Sequence, residues 1–305
     1  MSIFGRLLPI VTCSYTVQAL LALIFVPLQD ETYFDLCGAI GWLSTTFISL
    51  YYPTLNFAKY WDGTAPLQWN VSMSSRQLLL TAALGIWSLR MGTFLTWRAV
   101  KAGGDIRFSL IKRRPLTFSI YWFAQATWIV LVGLPVYLCN IVPSHLHPAL
   151  VPLDFCAVAL YAASLLFEVI ADLQKTAWKR AKDLKQHDES FISSGLWSIS
   201  RHPKLELIAF TRKEVSNADF SSYVGEVGLW TGIWALSITS LRSSHYPMGT
   251  WLLAAISPLF SWFLVRKVSG IPGLERIGDK RFGANPKWQQ YKKAVPIFWP
   301  WGGLD

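Results

Sequence analysis

Seven apolar blocks, each close to the thickness of a bilayer, constrain the fold of this chain more than any other feature. A membrane-spanning helix needs about 20 mostly apolar residues. Charged residues make up 15% of the chain, whereas about 25% is typical of a soluble protein. The sequence therefore predicts an all-α, polytopic membrane bundle with about seven transmembrane helices, namely Leu7–Leu28, Tyr33–Tyr52, Gln77–Val100, Phe118–Val142, Ala149–Ala171, Val227–Leu241 and Thr250–Val265.

The distribution of Lys and Arg predicts the orientation of these helices. Twenty-two of the 28 basic residues lie in segments 101–117, 172–226 and 266–305, which about seven alternating spans place on one side. Because basic loops stay in the cytoplasm, we expect a cytoplasmic C-terminus and a lumenal or external N-terminus. The inner loop at residues 29–32 is acidic and supports this orientation less well. Topology and attraction to anionic membrane lipids account for the net charge of +10, so nucleic-acid binding is not expected.

Polar residues within the predicted spans are the first candidates for a site. Arg90 lies mid-span, where a charge costs about 2.5–3.5 kcal/mol or more, so it should bind carbonyl groups or face a wet cavity. Glu168 and Asp172 are four residues apart at the inner end of the fifth span and therefore share a helix face. This pair favours a polar pocket over an ordinary solvated helix end. The His and Cys residues show no ligand spacing, so no metal site is expected.

The most specific motif follows the fifth span. It reads Gly195-Leu-Trp-Ser-Ile-Ser-Arg-His-Pro203, and Tyr223-Val-Gly-Glu226 comes further along. Together with the block Glu168-Val-Ile-Ala-Asp-Leu-Gln-Lys175, it resembles the C-terminal-domain family of steroid 5α-reductases, and more narrowly the DUF1295 branch of that family. Two other blocks agree with the resemblance, which covers residues 90–300: Leu89-Arg90 with Gly104-Asp-Ile-Arg-Phe108, and the segment 272–300.

The resemblance implies a seven-helix membrane fold with an NADPH pocket that opens to the cytoplasm. It implies hydride transfer to a carbon–carbon double bond conjugated to a carbonyl, in a hydrophobic steroid- or lipid-like substrate. The catalytic candidates are Glu226, Tyr223 and His202, of which Glu226 or Tyr223 would donate a hydrogen bond to the developing enolate. The cofactor-binding candidates are Glu168, Asp172, Gln174, Lys175, Lys179, Arg201, His202, Tyr291 and Lys292. No Gly-x-Gly-x-x-Gly motif follows a strand, so a Rossmann site is not expected.

Two alternatives share parts of this pattern. Isoprenylcysteine- and phospholipid-type S-adenosylmethionine methyltransferases have the same Arg-His-Pro element and a similar C-terminal block. The helix end Asp172-Leu-Gln-Lys175 and the block Gly104-Asp-Ile-Arg-Phe108 favour the reductase over them. The other alternative is a scaffold or inactive pseudoenzyme, because the motif is interrupted.

The interruption lies between Pro203 and Tyr223. The family pattern continues from Arg-His-Pro directly to Asn-Tyr-x-Gly-Glu, whereas here 19 residues, 204–222, intervene. Replacing them by one Asn restores the pattern, and codons for their ends can supply the GT and AG of an intron. We therefore interpret residues 204–222 as a translated, unspliced intron, with a genuine surface-loop insertion as the alternative.

A retained intron requires a eukaryotic host, which predicts the endoplasmic reticulum as the membrane. The predicted organisation has two parts. Residues 1–76 form a two-helix membrane hairpin with an outer loop, and residues 77–305 form a reductase-like membrane domain.

Overall fold

The fold was analysed in a computed structural model that describes residues 4–52, 62–63, 72–104, 108, 111–198, 223–268, 278–280 and 282–295. These residues form helices and turns, with no strand among them. The α-helices of this part are α1 (Leu8–Leu28), α2 (Phe34–Tyr51), α3 (Ser75–Ala102), α4 (Pro115–Asn140), α5 (Pro152–Asp183), α6 (Tyr223–Leu241), α7 (Thr250–Ala254), α8 (Ile256–Phe263) and α9 (Pro286–Ala294). A π-helical turn, Leu264–Val268, follows α8.

Each of the seven predicted spans coincides with helix. Within the described ranges, four helices are long and apolar enough to cross a membrane: Gly5–Leu28, Ser75–Lys101, Pro115–Asn140 and Pro152–Asp183. The all-α class is thus confirmed for these ranges, and the four apolar helices indicate an integral membrane protein. The last predicted span is divided at Ala255 between α7 and α8. The total of about seven spans and the orientation of the termini stay predictions.

The chain divides into two compact units that are interleaved along the sequence. Unit 1 comprises Met1–Val158 and Thr231–Ser257, and unit 2 comprises Ala159–Trp230 and Pro258–Asp305. Helices α5, α6 and α8 each contribute residues to both units. The sequence predicts a different division, into the continuous segments 1–76 and 77–305, and that division stays a prediction.

Helix α2 is the centre of unit 1, where it contacts α1, α3 and α4. Two glutamines from neighbouring helices bind its carbonyl groups: Gln18 Nε2 donates to Cys37 O at 3.0 Å and Gln125 Nε2 donates to Phe34 O at 3.2 Å. A Cβ atom on Gly41 of α2 would lie 2.5 Å from Gln18 Nε2. Small residues thus let the side-chain amides reach the α2 backbone, as is common in membrane helix packing.

One end of unit 1 contains a buried ion pair between Arg76 of α3 and Asp154 of α5. Their side chains are 0% and 1% exposed. Arg76 also donates to Pro148 O at 2.7 Å and to Ala149 O at 3.2 Å, and Asp154 accepts from Val151 N at 2.8 Å. The pair therefore joins the beginnings of α3 and α5 to the loop after α4. Neither residue was predicted to be special from the sequence.

A second ion pair explains the acidic loop at residues 29–32. Lys112 Nζ lies 2.6 Å from Glu31 Oε2, and the Glu31 side chain is 2% exposed. An aromatic cluster that includes Phe34, Phe108 and Trp122 packs beside this loop. The acidic loop and the basic segment near Lys112 thus lie at the same end of unit 1, where their charges compensate.

Candidate functional site

The described candidates for catalysis and cofactor binding all belong to unit 2, and most lie on the second half of α5. This helix contains 32 residues, so it is about 48 Å long at about 1.5 Å per residue. The hydrocarbon core of a bilayer is only about 30 Å thick. The helix is therefore longer than one crossing requires, which fits the predicted polar extension after Ala171.

One face of α5 carries a row of polar side chains, which we call the polar stripe: Ser164, Glu168, Asp172, Lys175 and Lys179. Their spacing of three or four residues places them above one another on the helix. Ser164 and Glu168 are buried, at 8% and 3% exposure, and the other three are half-buried. The stripe thus leads from a buried carboxylate to two partly accessible ammonium groups.

Two glycines bring the backbone of α6 against the buried end of the stripe. A Cβ atom on Gly225 would lie 2.6 Å from Glu168 Cγ and 3.2 Å from Ser164 O, and a Cβ atom on Gly228 would overlap Ser164 Oγ. Only glycine permits such a close approach at both positions. Because this contact involves the backbone of α6, it fixes Glu168 relative to the first turn of α6.

Glu226 is the residue after Gly225 and is 4% exposed. It lies in the first turn of α6, where the helix dipole favours negative charge. Gly225 packs on Glu168, and Glu226 is the next residue of α6. Unit 2 thus encloses two candidate carboxyl groups on two helices that pack together.

The turn Gly195–Ser198 is bound to α5 through Gln174. Gln174 Oε1 accepts a hydrogen bond from Leu196 N at 2.9 Å. Gly195 has φ +64°, and a Cβ atom there would lie 2.6 Å from Gln174 Oε1. Glycine is therefore required both by the backbone conformation and by the contact. Within this structure Gln174 binds the turn, and its predicted contact with a cofactor stays a prediction.

Two further candidates, Tyr291 and Lys292, lie on α9. The Tyr291 hydroxyl donates to Trp197 O at 2.6 Å, and Lys292 Nζ lies 2.8 Å from Asp279 Oδ1. Both polar groups thus bind protein partners in this structure. Their predicted cofactor contacts stay predictions.

The remaining candidates fall wholly or partly outside the described residues. Arg201, His202 and segment 204–222 lie there, and Tyr223 begins α6 with its side chain outside the description.

Arg90 belongs to unit 1 and is half-buried, with Nη2 3.7 Å from Met91 Sδ. In the part of the chain that the structure describes, no group of three or more His, Cys, Asp or Glu is placed to hold a metal ion.

Sequence reasoning did not assign Ser164, Trp197, Gly225 or Gly228 to the site. Helical spacing could have found three of them, because Ser164 is four residues before Glu168 and the two glycines are three residues apart on α6. Trp197 is part of the sequence motif, but the motif predicts no catalytic or binding role for it. Its burial, at 1% exposure, comes from tertiary packing.

A separate cleft of about 440 Å³ opens on a different face of α5. It is lined by Gln174, Trp178 and His187, among others. Trp178 packs against His187 with ring centroids 4.9 Å apart, and Lys182 Nζ lies 4.9 Å from the Trp178 ring centroid. The cleft shares Gln174 and Gly195 with the candidate site.

Comparison with known proteins found one family. A family model described as "Protein of unknown function (DUF1295)" matches residues 57–206 and 219–295. That family is associated with steroid 5α-reductase-like proteins. Neither the curated proteins nor the solved structures contain a match. The unmatched residues 207–218 fall within segment 204–222, and the polar stripe and the start of α6 fall within the matched parts.

Proposed function

This chain belongs to the DUF1295 family, and from this we propose that it is a membrane-embedded, NADPH-dependent reductase of the steroid 5α-reductase type. The substrate is a hydrophobic molecule in which a carbon–carbon double bond is conjugated to a carbonyl group. One observation supports the proposal most directly. Buried Glu168 touches the α6 backbone beside buried Glu226, at the end of a stripe that leads to Lys175 and Lys179.

The described residues fit the chemistry of NADPH. Its phosphates require cations, which Lys175 and Lys179 provide on one helix face. Its ribose hydroxyls and carboxamide are hydrogen-bond donors, for which Asp172 and Glu168 are acceptors. Arg201 would add a bidentate phosphate contact.

The chain itself must orient the substrate and supply a proton. Bound NADPH supplies the hydride that forms the new C–H bond at the β-carbon of the enone. Glu226 in its protonated form, or Tyr223, donates a hydrogen bond to the substrate carbonyl oxygen, which carries negative charge as that bond forms. A proton from Glu226 or Tyr223, replaced from solvent, would then form the C–H bond at the α-carbon and complete the saturated product.

The apolar helices give the substrate a route through the bilayer. Side chains such as Leu20, Leu23 and Leu28 of α1 are more than half exposed, as lipid-facing residues are. We propose the endoplasmic reticulum as the membrane. A lipid-like substrate could reach the site from the bilayer without crossing water.

We also propose that segment 204–222 is a retained intron. The interruption of the family match within this segment supports the idea. Groups that bind a ligand tolerate displacements of only about 0.5 Å, so an insertion between His202 and Glu226 should impair binding of the cofactor.

The experiment is an NADPH titration of detergent-solubilised protein, with S-adenosylmethionine as the parallel ligand. The full chain is compared with a form in which residues 204–222 are replaced by one Asn. We expect NADPH to bind the shortened form more tightly. The double variant Lys175→Gln/Lys179→Gln should weaken binding, and Lys287→Gln, an exposed lysine of α9, is the matched control.

Other outcomes separate the alternatives. Binding of S-adenosylmethionine alone would overturn the reductase in favour of a methyltransferase. Binding of neither ligand by either form would favour a pseudoenzyme. Equal NADPH affinity of the two forms would contradict the retained-intron proposal and leave a genuine loop insertion.

A further inference from the structure

Lys175 of the polar stripe is held over the indole ring of Trp197. Its Nζ lies 5.4 Å from the ring centroid, within the distance at which a cation is attracted to an aromatic face. Trp197 is 1% exposed, so its ring is enclosed on all sides. A flexible lysine that rests on a fixed ring has fewer accessible conformations than one in solvent.

Two side chains fix the backbone on either side of this ring. Gln174 binds the amide of Leu196, immediately before Trp197, and Tyr291 binds the carbonyl of Trp197 itself. Gly195 lets the turn approach Gln174 closely. The position of the indole is therefore set by α5 through one bond and by α9 through another.

An aromatic cluster holds Tyr291 in turn. Its ring centroid lies 5.4 Å from that of Phe191 and 5.8 Å from that of Trp288. Trp288 Nε1 donates to Asp279 Oδ1 at 3.0 Å, and Lys292 binds the same carboxylate. Tyr291 thus joins α9 to the turn, and Trp288 and Lys292 join the same helix to Asp279.

We propose that Trp197 is a positioning residue that presents Lys175 to an anionic ligand, and that Gln174 and Tyr291 act through Trp197 without touching the ligand. The ligand class is a phosphate group, and in this respect the inference rests on the proposed function. A pre-positioned ammonium group binds phosphate more tightly because less side-chain freedom is lost on binding. The proposal gives Gln174 and Tyr291 roles different from those that the family resemblance implies.

A double-mutant cycle tests the coupling between Trp197 and Lys175. In the form that binds NADPH, Trp197→Leu should raise Kd about 5-fold. In the Lys175→Gln background it should raise Kd less than about 2-fold, because the cation that it positions is already absent. Tyr291→Phe removes only one hydroxyl and should raise Kd about 2- to 3-fold, again only when Lys175 is present. Equal effects in both backgrounds would overturn the proposal.

The same double-mutant cycle can also be measured without a ligand, by thermal unfolding of the full chain. We expect Trp197→Leu and Lys175→Gln to lower Tm by less together than the sum of their separate effects. If no form binds NADPH but this coupling is present, the proposed function fails and the positioning contact stands. Additive shifts in Tm would overturn the contact itself.

A matched pair elsewhere on α5 controls for the loss of a cation–aromatic contact. Trp178 and Lys182 form such a pair outside the polar stripe, at 4.9 Å. Trp178→Leu should lower Tm and leave the Kd for NADPH within about 2-fold of its original value. A change in Kd as large as that of Trp197→Leu would show that the effect is structural, which would contradict the proposal.

Discussion

The two units bury charged side chains in different ways. In unit 1, Arg76 and Asp154 are enclosed together and bind each other and neighbouring backbone groups. In unit 2, Glu168 packs against Gly225 of α6, and the same helix face continues to the half-buried Lys175 and Lys179. The enclosed pair joins helices of unit 1. The polar stripe of unit 2 extends to partly exposed cations and is the place where we propose that a ligand binds.

We expect the largest loss of stability when one partner of the enclosed pair in unit 1 is removed. Asp154→Ala leaves the Arg76 guanidinium buried without its carboxylate, which should cost about 3–5 kcal/mol of unfolding free energy. Denaturant titration of the solubilised protein measures this loss. The double variant Arg76→Met/Asp154→Leu should recover most of it, because no unpaired charge remains. A loss below about 1 kcal/mol for Asp154→Ala would show that the pair is not structural.

In unit 2 the corresponding test acts on a glycine. Gly225→Ala places a methyl group 2.6 Å from Glu168 Cγ, and overpacking of this kind costs about 1–3 kcal/mol. It should also weaken NADPH binding, because Glu168 must move. Urea titration and NADPH titration on the same preparation measure the two effects.

A second substitution, Glu168→Ala, tests whether the effect of Gly225→Ala arises from its contact with Glu168. Glu168→Ala removes the side chain that the new methyl group meets, so Gly225→Ala should cost less in stability when Glu168→Ala is already present. NADPH binding should stay weak in that double variant, because the carboxylate is absent. Recovery of both stability and binding would contradict a role for Glu168 in the site.

The helices and the family motif could be predicted from the sequence because both are local patterns. Apolar blocks of bilayer length gave the positions of α1 to α6, and the spacing of Glu168 and Asp172 gave their shared face. The pairing of Arg76 with Asp154 could not be predicted, since the partners are 78 residues apart and belong to no motif. The contact of Tyr291 with Trp197 is equally remote, at 94 residues, and only the fold brings the two together.

Local patterns also left the role of some residues open. Gln174 is a plausible cofactor ligand by its place in the motif, yet its amide oxygen binds Leu196 N. The acidic loop at residues 29–32 has no explanation in the sequence alone, and in the structure Lys112 lies beside Glu31. In both cases the missing information was a tertiary partner that the residue type alone does not specify.

The pair Glu31–Lys112 provides a smaller test of how enclosure sets the strength of a charge pair. Lys112 is 31% exposed whereas Arg76 is fully enclosed. Lys112→Gln removes the partner of a buried carboxylate but takes away an ammonium group that already reaches solvent, so it should cost about 1–3 kcal/mol, less than Asp154→Ala, and salt should reduce that cost. Tm measured at low and high salt checks this prediction, with Lys112→Arg as the charge-conserving control. A salt-independent loss as large as that of Asp154→Ala would erase the distinction between the two pairs.

The smallest expected effect is a pH dependence near the enclosed pair of unit 1. His147 lies in the loop between α4 and α5, where its Nδ1 shares a hydrogen bond with Ser240 Oγ at 2.8 Å. Burial lowers the pKa of His147, and the nearby charges of Arg76 and His245 lower this pKa further. The unfolded chain, in which the histidine pKa is about 6.5, therefore takes up a proton at a higher pH than the folded protein does.

The sign of the effect follows from this order of protonation. The stability that neutral His147 contributes is fully present above the unfolded pKa and is lost as the pH falls from that value towards the lower pKa of the folded protein. Tm should therefore decrease between pH 7.5 and pH 5.5, and His147→Gln should make this decrease shallower. His145→Gln, which alters an exposed histidine of the same loop, controls for the loss of one imidazole. A decrease that is equally steep in His147→Gln would show that other groups cause it, and the enclosed cluster of unit 1 would then be insensitive to the protonation of its histidine.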